Sequence, residues 1–354
     1  MKVVWKGFFE GDTGYIVATR QYVAATELAG LKTSIMPLQP LQANNPLNKY
    51  IMPIERDDLV ILHQIPTVSP REQAYFTVTE FDIPPHEWWI PLSQSKLILT
   101  QSKFCRESFS KIPGIDKNKI KIVNFVVPQS LSPKGDTIRD TLIYNKPMND
   151  YACVFGSIFE WVSRKKPELM WQAFTEEFDK NEDVLFLNKM SIPQGFRSWK
   201  KQFNKYQQAD PRILLVNKHL DDIGTFYRSL DGYVSPTAGE GWGATLIEAM
   251  ACGTPTIGSN HGGNLDYMNN KNSWLVDTGP WEYIGNDPTN KLWMVHDYQR
   301  WKLPEVASIR KAMREIYELK QEGKVSPRVI EGLKVKEQFS IDKVALQLSR
   351  AINT

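Results

Sequence analysis

The sequence predicts an α/β protein made of two doubly wound parallel-sheet lobes. Short, β-rich apolar runs alternate with longer stretches of helical periodicity along nearly the whole chain, the pattern of parallel sheets buried on both faces. The 354 residues correspond to about two domains at a prior of ~150 residues each. The stretch 128–150, PQSLSPKGDTIRDTLIYNKPMND, is polar, holds three prolines and shows no sustained period, so it reads as a linker, with the lobes meeting near residue 148.

The elements follow in chain order. A glycine-containing loop at 11–14 leads into a helical pattern over Tyr15–Ala29. The runs LVIL (59–62), KLILT (96–100) and KIVNFVV (121–127) give strands of the first lobe. YACVFGSI (151–158), DVLFLN (183–188), RILLVN (212–217), GYVSP (232–236) and TPTIG (254–258) give those of the second. Helical patterns over Lys165–Phe178 and Ala244–Cys252 lie between them. Ligands of such sheets favour the carboxyl ends of the strands, which makes the cleft between the lobes the expected site.

Composition narrows the function classes. Charged residues make up 23% of the chain and the formal net charge is only +3, with Lys and Arg spread along the length. That balance argues against a dedicated polyanion binder. Cys105, Cys153 and Cys252 are far apart and odd in number, which fits a reducing compartment without a disulfide framework. No run approaches the ~18 to 20 uninterrupted apolar residues of a membrane span, and MKVVWKGFFEGDTG lacks a signal-peptide core. The expectation is a cytoplasmic protein, soluble or peripheral to a membrane.

The stretch GEGWGATLIEAMACGTP (239–255) concentrates the chemistry. GYVSP is a strand, TAGEG a loop, and ATLIEAMAC a run of good helix formers stopped by Gly253, with Pro255 just beyond. Gly241 and Gly243 let backbone N–H groups approach a ligand, and the helix end adds partial positive charge, so an anion such as phosphate fits there. Glu240 precedes the helix and Glu248 lies in its second turn. Carboxylates repel phosphate but accept hydrogen bonds from sugar hydroxyls. A nucleotide sugar offers hydroxyls on both sides of a diphosphate, whereas a buried turn with two capping or solvated glutamates explains the same spacing.

Over more than thirty residues, DGYVSPTAGEGWGATLIEAMACGTPTIGSNHGG resembles the E-x7-E signature of retaining glycosyltransferases of the GT-B fold, family four (glycosyl transferases group 1). In weaker form the likeness extends over nearly the whole chain. GFFEGDTGYIVATRQYVAATELAGLKT is similar to the family's first glycine loop and helix, TEFDIPPHEWW to its acceptor-side loop, FEWVSRKKPELMWQAF to its phosphate-binding segment, and SIDKVALQLSRAI to a final helix that crosses back onto the first lobe. The resemblance implies an acceptor-binding domain over 1–148, a donor-binding domain over 149–325 and the crossing helix within 326–354.

It also implies roles. Glu240 contacts the transferred sugar near the reacting carbon, and Glu248 holds the ribose hydroxyls. Gly241, Trp242, Gly243, Ala244 and Thr245 give contacts to sugar and phosphate, and Gly14 lies under the donor phosphates. Arg164 and Lys165 neutralise the diphosphate, although a solvated charge run also explains them. Three cations at a helix amino terminus oppose the macrodipole, which a bound anion would explain. Many relatives carry an arginine where this chain has Phe159, so the second basic contact rests on Arg164 alone. Glu80 and Asp82 stand on the acceptor side, where turn chemistry before Pro84 explains Asp82 equally well.

His63 ends an apolar strand, facing the cleft or satisfied in the core. His261 approaches the donor or caps its glycine turn. Trp88, Trp89 and Trp161 stack on ligands or fill the core. The implied activity is transfer of a hexose from a nucleoside-diphosphate sugar of the UDP-glucose or GDP-mannose class to a saccharide, lipid-linked or other hydroxyl acceptor, with no metal and no cofactor. Two rivals are a transferase acting on DNA or a modified base, which needs a basic face, and a non-catalytic nucleotide-sugar binder. Nucleic acid is the less favoured partner.

Overall fold

A computed structural model of the chain describes residues 2–11, 13–66, 73–192, 199–217, 220–285 and 296–353. The described residues form two compact units, one running up to Pro128 and resuming from Glu337, the other spanning Gln129–Lys336.

The first unit contains β1 (Val3–Gly7), α1 (Gly14–Leu28), β2 (Thr33–Pro37), β3 (Leu59–His63), β4 (Ala74–Phe76), α2 (Trp89–Gln94), β5 (Leu97–Thr100), α3 (Lys103–Phe109) and β6 (Ile120–Ile122). Its sheet runs β2-β1-β3-β4-β5-β6, parallel throughout. The order reverses between β1 and β3, so the switch point where such sheets take ligands lies beyond Gly7 and His63. Trp5, Tyr22, His63 and Phe76 pack as neighbouring rings in the core beneath it.

The expected strand 121–127 ends at Ile122. Beyond it the carboxy-terminal segment supplies the partners: Gln347 Oε1 accepts from the Asn124 N–H at 2.9 Å, and the Phe339 carbonyl accepts from the Val127 N–H at 2.9 Å. The final helix, Ile341–Asn353, also packs along α1.

The second unit opens with a small hairpin, β7 (Leu142–Ile143) and β8 (Lys146–Pro147). Tyr144 and Asn145 turn it with φ of 49° and 65°, the two positive values that a tight hairpin turn demands. The stretch read as a linker is therefore packed structure: Ser229 Oγ accepts from the Ile138 N–H at 2.8 Å, and Arg228 donates to the Ser132 and Asp136 carbonyls. Residues 129–148 thus go with the second unit rather than the first.

There follow β9 (Cys153–Glu160), α4 (Pro167–Glu177), β10 (Val184–Ser191), α5 (Trp199–Ala209), β11 (Ile213–Leu215), α6 (Gly224–Arg228), β12 (Gly232–Ser235), α7 (Ala244–Ala251), β13 (Thr256–Ser259) and β14 (Trp274–Val276), then β15 (Thr278–Tyr283), β16 (Arg300–Pro304) and α8 (Val306–Gln321). The main sheet runs β11-β10-β9-β12-β13-β14, again all parallel. Its order reverses between β9 and β12. Strands β15 and β16 form a separate antiparallel pair. Among the described residues no helix is long and apolar enough to cross a membrane.

Candidate functional site

The switch point of the second sheet decides which residues meet. β9 ends at Glu160, and Arg164 and Lys165 follow in the turn before α4; β12 ends at Ser235, and Glu240 follows in the turn before α7. Adjacent parallel strands deliver both turns to the same sheet end, and the turns are strapped together, with the Ala238 N–H donating to the Arg164 carbonyl at 2.8 Å. Sequence positions some 75 apart thereby become neighbours.

Both cations converge on one oxygen. Lys165 Nζ donates to Glu240 Oε1 at 2.5 Å and Arg164 Nη1 to the same atom at 3.0 Å, with a further bond to the Gly239 carbonyl at 3.1 Å. Glu240 is 6% exposed. Burial pushes its carboxyl upward, but the charges of Lys165 and Arg164 and their hydrogen bonds prevail and hold it below the usual range. Lys166 is kept apart from this triad. Its left-handed backbone, φ 45° and ψ 49°, sits just before Pro167, and its ammonium lies 4.1 Å from the centroid of the Trp301 ring.

The glycines of the α7 turn have specific jobs. Gly243 starts the helix at φ 84°, and a Cβ there would stand 3.0 Å from the Tyr267 hydroxyl. That hydroxyl donates towards the Gly243 carbonyl at 2.6 Å and the Trp242 carbonyl at 3.0 Å, and the two rings pack 5.0 Å apart. From the far side the Gly263 N–H donates to the Glu240 carbonyl at 2.7 Å. Gly262, at φ 102°, has no room for a Cβ, which would come 3.0 Å from that carbonyl oxygen. The glycine turn after β13 therefore fixes the Glu240 backbone.

Glu248, one helical turn further in, has no cation on it among the described residues. Tyr227 donates its hydroxyl to Glu248 Oε2 at 2.8 Å. Burial pushes the Glu248 carboxyl up to about 7, against the opposing effect of that hydrogen bond. Thr245 shares a hydrogen bond with Tyr233 in the same wall. Tyr227 and Tyr267 escaped the sequence reading, because each lies outside the segment it supports and no spacing ties it there, whereas Gly262 belongs to the glycine turn expected beside His261.

In the first unit, three of the four expected residues lie around Tyr15. Gly14 is the first residue of α1, with open space where a side chain would stand, and Arg20 braces the preceding loop through the Phe9 and Gly11 carbonyls. Tyr15 packs 5.1 Å from the His63 ring. Burial, then the charge of Glu80, push its phenol well above the usual range, although it hydrogen-bonds to Thr77 and Val78. His63 is buried and shares a 2.7 Å hydrogen bond with Thr19, and burial lowers it to about 3. It is a neutral core histidine at the strand end. Asp82 is buried, and its backbone carbonyl accepts from Lys111.

Among the tryptophans, Trp161 packs into the second core against Trp171 and Phe159. Trp88 belongs to the first core, and Trp89, packed against it, donates to the Pro84 carbonyl. His261 meets Trp281 edge-on, with centroids 4.8 Å apart.

Comparison with known proteins places this geometry. The family described as Glycosyl transferases group 1 matches residues 163–286. The capsular polysaccharide biosynthesis glycosyltransferase CapM of Staphylococcus aureus is 34% identical over 142 residues, 40% of this chain and 37% of that protein. The lipopolysaccharide core biosynthesis mannosyltransferase LpsB of Rhizobium meliloti (strain 1021) is 43% identical over 63 residues, 18% of this chain and 17% of that protein. Both matches span well under two thirds of the relative. The fold agrees over a longer range: HepE of Anabaena, solved with UDP-glucose, superposes with a TM-score of 0.71 at 12% identity, covering 100% of this chain and 99% of that one. WaaG, a glycosyltransferase involved in lipopolysaccharide biosynthesis, gives 0.68 at 10% identity, with 99% of each chain covered. The chain thus has two Rossmann-like units of the GT-B kind, and its residues 163–286, which include Arg164, Lys165, Glu240 and Glu248, match the Glycosyl transferases group 1 family.

Proposed function

We propose that this protein is a retaining hexosyltransferase, moving a sugar from a nucleoside-diphosphate donor of the UDP-glucose or GDP-mannose class to an acceptor hydroxyl. The observation that carries the reading is the convergence of Arg164 and Lys165 on Glu240 at the turn before α7. Two cations gathered on one buried carboxylate at the ligand-binding end of a doubly wound sheet suit a doubly charged leaving group. HepE, the fold neighbour solved with UDP-glucose, and CapM, named for capsular polysaccharide synthesis, support the substrate classes.

In this reaction the bond between sugar carbon and diphosphate breaks as positive charge builds on the carbon and negative charge on the phosphate. Arg164 and Lys165 move their hydrogen bonds from Glu240 towards the phosphate, and the N–H groups of Gly241 to Thr245 add to them. These fixed charges are preorganised for the leaving group. They supply the charge that a metal ion brings in other transferases, so the reaction proceeds without one. Glu240 positions the sugar and stabilises its carbon, and the leaving phosphate takes the acceptor proton on the same face. Glu248 accepts from the ribose hydroxyls, Gly14 leaves room beside the phosphates, and Glu80 orients the acceptor.

Thermal shift against uridine, guanosine, adenosine and thymidine diphosphates and their hexose derivatives tests the donor site. A ligand at ~100 times its dissociation constant stabilises the native state by ~2.7 kcal/mol. Stabilisation by one nucleotide sugar and its loss in Lys165→Ala are expected; no shift with any nucleotide would overturn the assignment. Proton NMR of the product's anomeric centre tests retention, which an inverted product would refute. Turnover in the presence of a chelator tests metal independence.

A further inference from the structure

Beside the Glu240 turn, the β15–β16 hairpin carries chemistry that donor binding leaves unused. Trp281 pairs with Lys302, Glu282 with Trp301 and Tyr283 with Arg300. Directly opposed residues share a face and successive ones alternate. One face therefore presents Trp281, Tyr283, Arg300 and Lys302, and the other Glu282 and Trp301. A bulge between Thr278 and Trp281, where β15 has one residue more than β16, sets this register.

Trp301 is buried under the Lys166 ammonium. On the opposite face Trp281 is 37% and Tyr283 70% exposed. The Arg300 guanidinium and the Lys302 ammonium lie 5.5 and 5.4 Å from the Trp281 ring centroid. None of these four positions is acidic, and Glu282, the carboxylate within the two strands, belongs to the other face. Two backbone links tie the hairpin and its neighbour His261 to the Glu240 turn. The Lys302 N–H donates to the Ala238 carbonyl at 3.3 Å, and Gly263, two residues after His261, donates to the Glu240 carbonyl at 2.7 Å.

We propose that this face binds a saccharide containing uronic acid, the acceptor chain of the reaction proposed above. Each cross-strand pair sets a cation beside an aromatic ring, within the ~5 Å typical of opposed positions. A uronate matches that pairing, because one sugar unit carries both the carboxylate and an apolar C–H face. Arg300 and Lys302 take the carboxylate in charge-assisted hydrogen bonds, and the Tyr283 and Trp281 rings take the sugar face. In a phosphodiester-linked chain the charge lies between units instead, away from the stacked ring. The inference rests on the transferase reading only in calling the saccharide an acceptor; the binding itself requires no turnover.

The test is affinity electrophoresis of the full chain in native gels containing polygalacturonate, neutral dextran or poly(glycerol phosphate). Retardation by polygalacturonate alone is expected. Arg300→Ala with Lys302→Ala should weaken it roughly tenfold or more, the loss expected for charge-assisted contacts, and Tyr283→Ala should weaken it less. Lys200→Ala with Lys201→Ala removes the same charge from exposed positions of α5 and should leave retardation unchanged. Equal loss in that α5 variant, no retardation by polygalacturonate, or stronger retardation by poly(glycerol phosphate) would each overturn the proposal. UDP-glucose stabilisation of the unaltered protein is scored separately, so failure of the donor reading is seen independently of saccharide binding.

Discussion

Glu240 and Glu248 stand eight positions apart in one turn and helix, yet their surroundings treat their charges in opposite ways. Glu240 receives Lys165 and Arg164 from the turn after β9, and its carboxyl is held below the usual range despite burial. Among the described residues Glu248 receives the neutral Tyr227 hydroxyl, and burial lifts it to about 7. The helix on which a glutamate sits does not set its charge state. The elements packed against it do, and here they come from different strand ends.

The largest effect should come from breaking the Glu240 side. Glu240→Ala leaves two shielded cations facing each other, which should lower stability by about 3 kcal/mol, the usual cost of removing one partner of a buried pair. The gentler Glu240→Gln frees Arg164 and Lys165 for the diphosphate. Transfer should fall on the order of 10²-fold, as when a transition-state stabiliser is lost, while UDP binds more tightly in calorimetry. Weaker UDP binding in Glu240→Gln would show that the cations do not exchange partners.

Next comes the pH dependence, where the two glutamates should oppose each other. A depressed carboxyl such as Glu240 contributes stability that is present above its unfolded value and lost as pH falls through the folded one. Glu248 does the reverse: raised from 4.5 to about 7, it holds a proton that the unfolded chain has released. Stability therefore declines between these values and stays lower above them, by roughly 3 kcal/mol at about 1.4 kcal/mol per unit. Glu248→Gln should accordingly raise the melting temperature at pH 8 and have little effect near pH 4.5. A gain independent of pH would remove the titration argument.

The smallest effect belongs to the contact that separates the two environments. Tyr227→Phe removes one hydrogen bond, at about 1 kcal/mol, and with it the influence that holds Glu248 down. The pH midpoint of the Glu248→Gln difference, measured in the Tyr227→Phe background, should move upward. An unmoved midpoint would mean that Tyr227 only fills space.

The sequence showed one half of this contrast more clearly than the other. Glu240 and Glu248 could be read because they lie in a local pattern of strand, glycine turn and helix, and Arg164 and Lys165 because they form a charge run between an apolar strand and a helix. Tyr227 could not, because α6 meets α7 only once the chain has folded, and TFYRSLDG carries no mark of that contact. The strand runs at 59–62, 183–188 and 254–258 gave β3, β10 and β13 within a few residues, since central parallel strands are continuously apolar. β15 and β16 went unread because TGPWEY and RWKLP mix proline, charge and aromatic residues, and their pairing spans a long gap. The strand read over 121–127 was too long because its apolar residues are covered by the final helix rather than by a neighbouring strand.

One consequence of the burial of Glu248 concerns heat. Near neutral pH a good part of the Glu248 population carries a proton, and ribose hydroxyls that donate to the carboxylate would expel it into the solvent. On the proposed role of Glu248, docking of a nucleotide sugar would then release a fraction of a proton for the buffer to take up. Calorimetric enthalpies in phosphate and in Tris should differ by that fraction of the difference in their ionisation heats, so donor docking would act as a proton source.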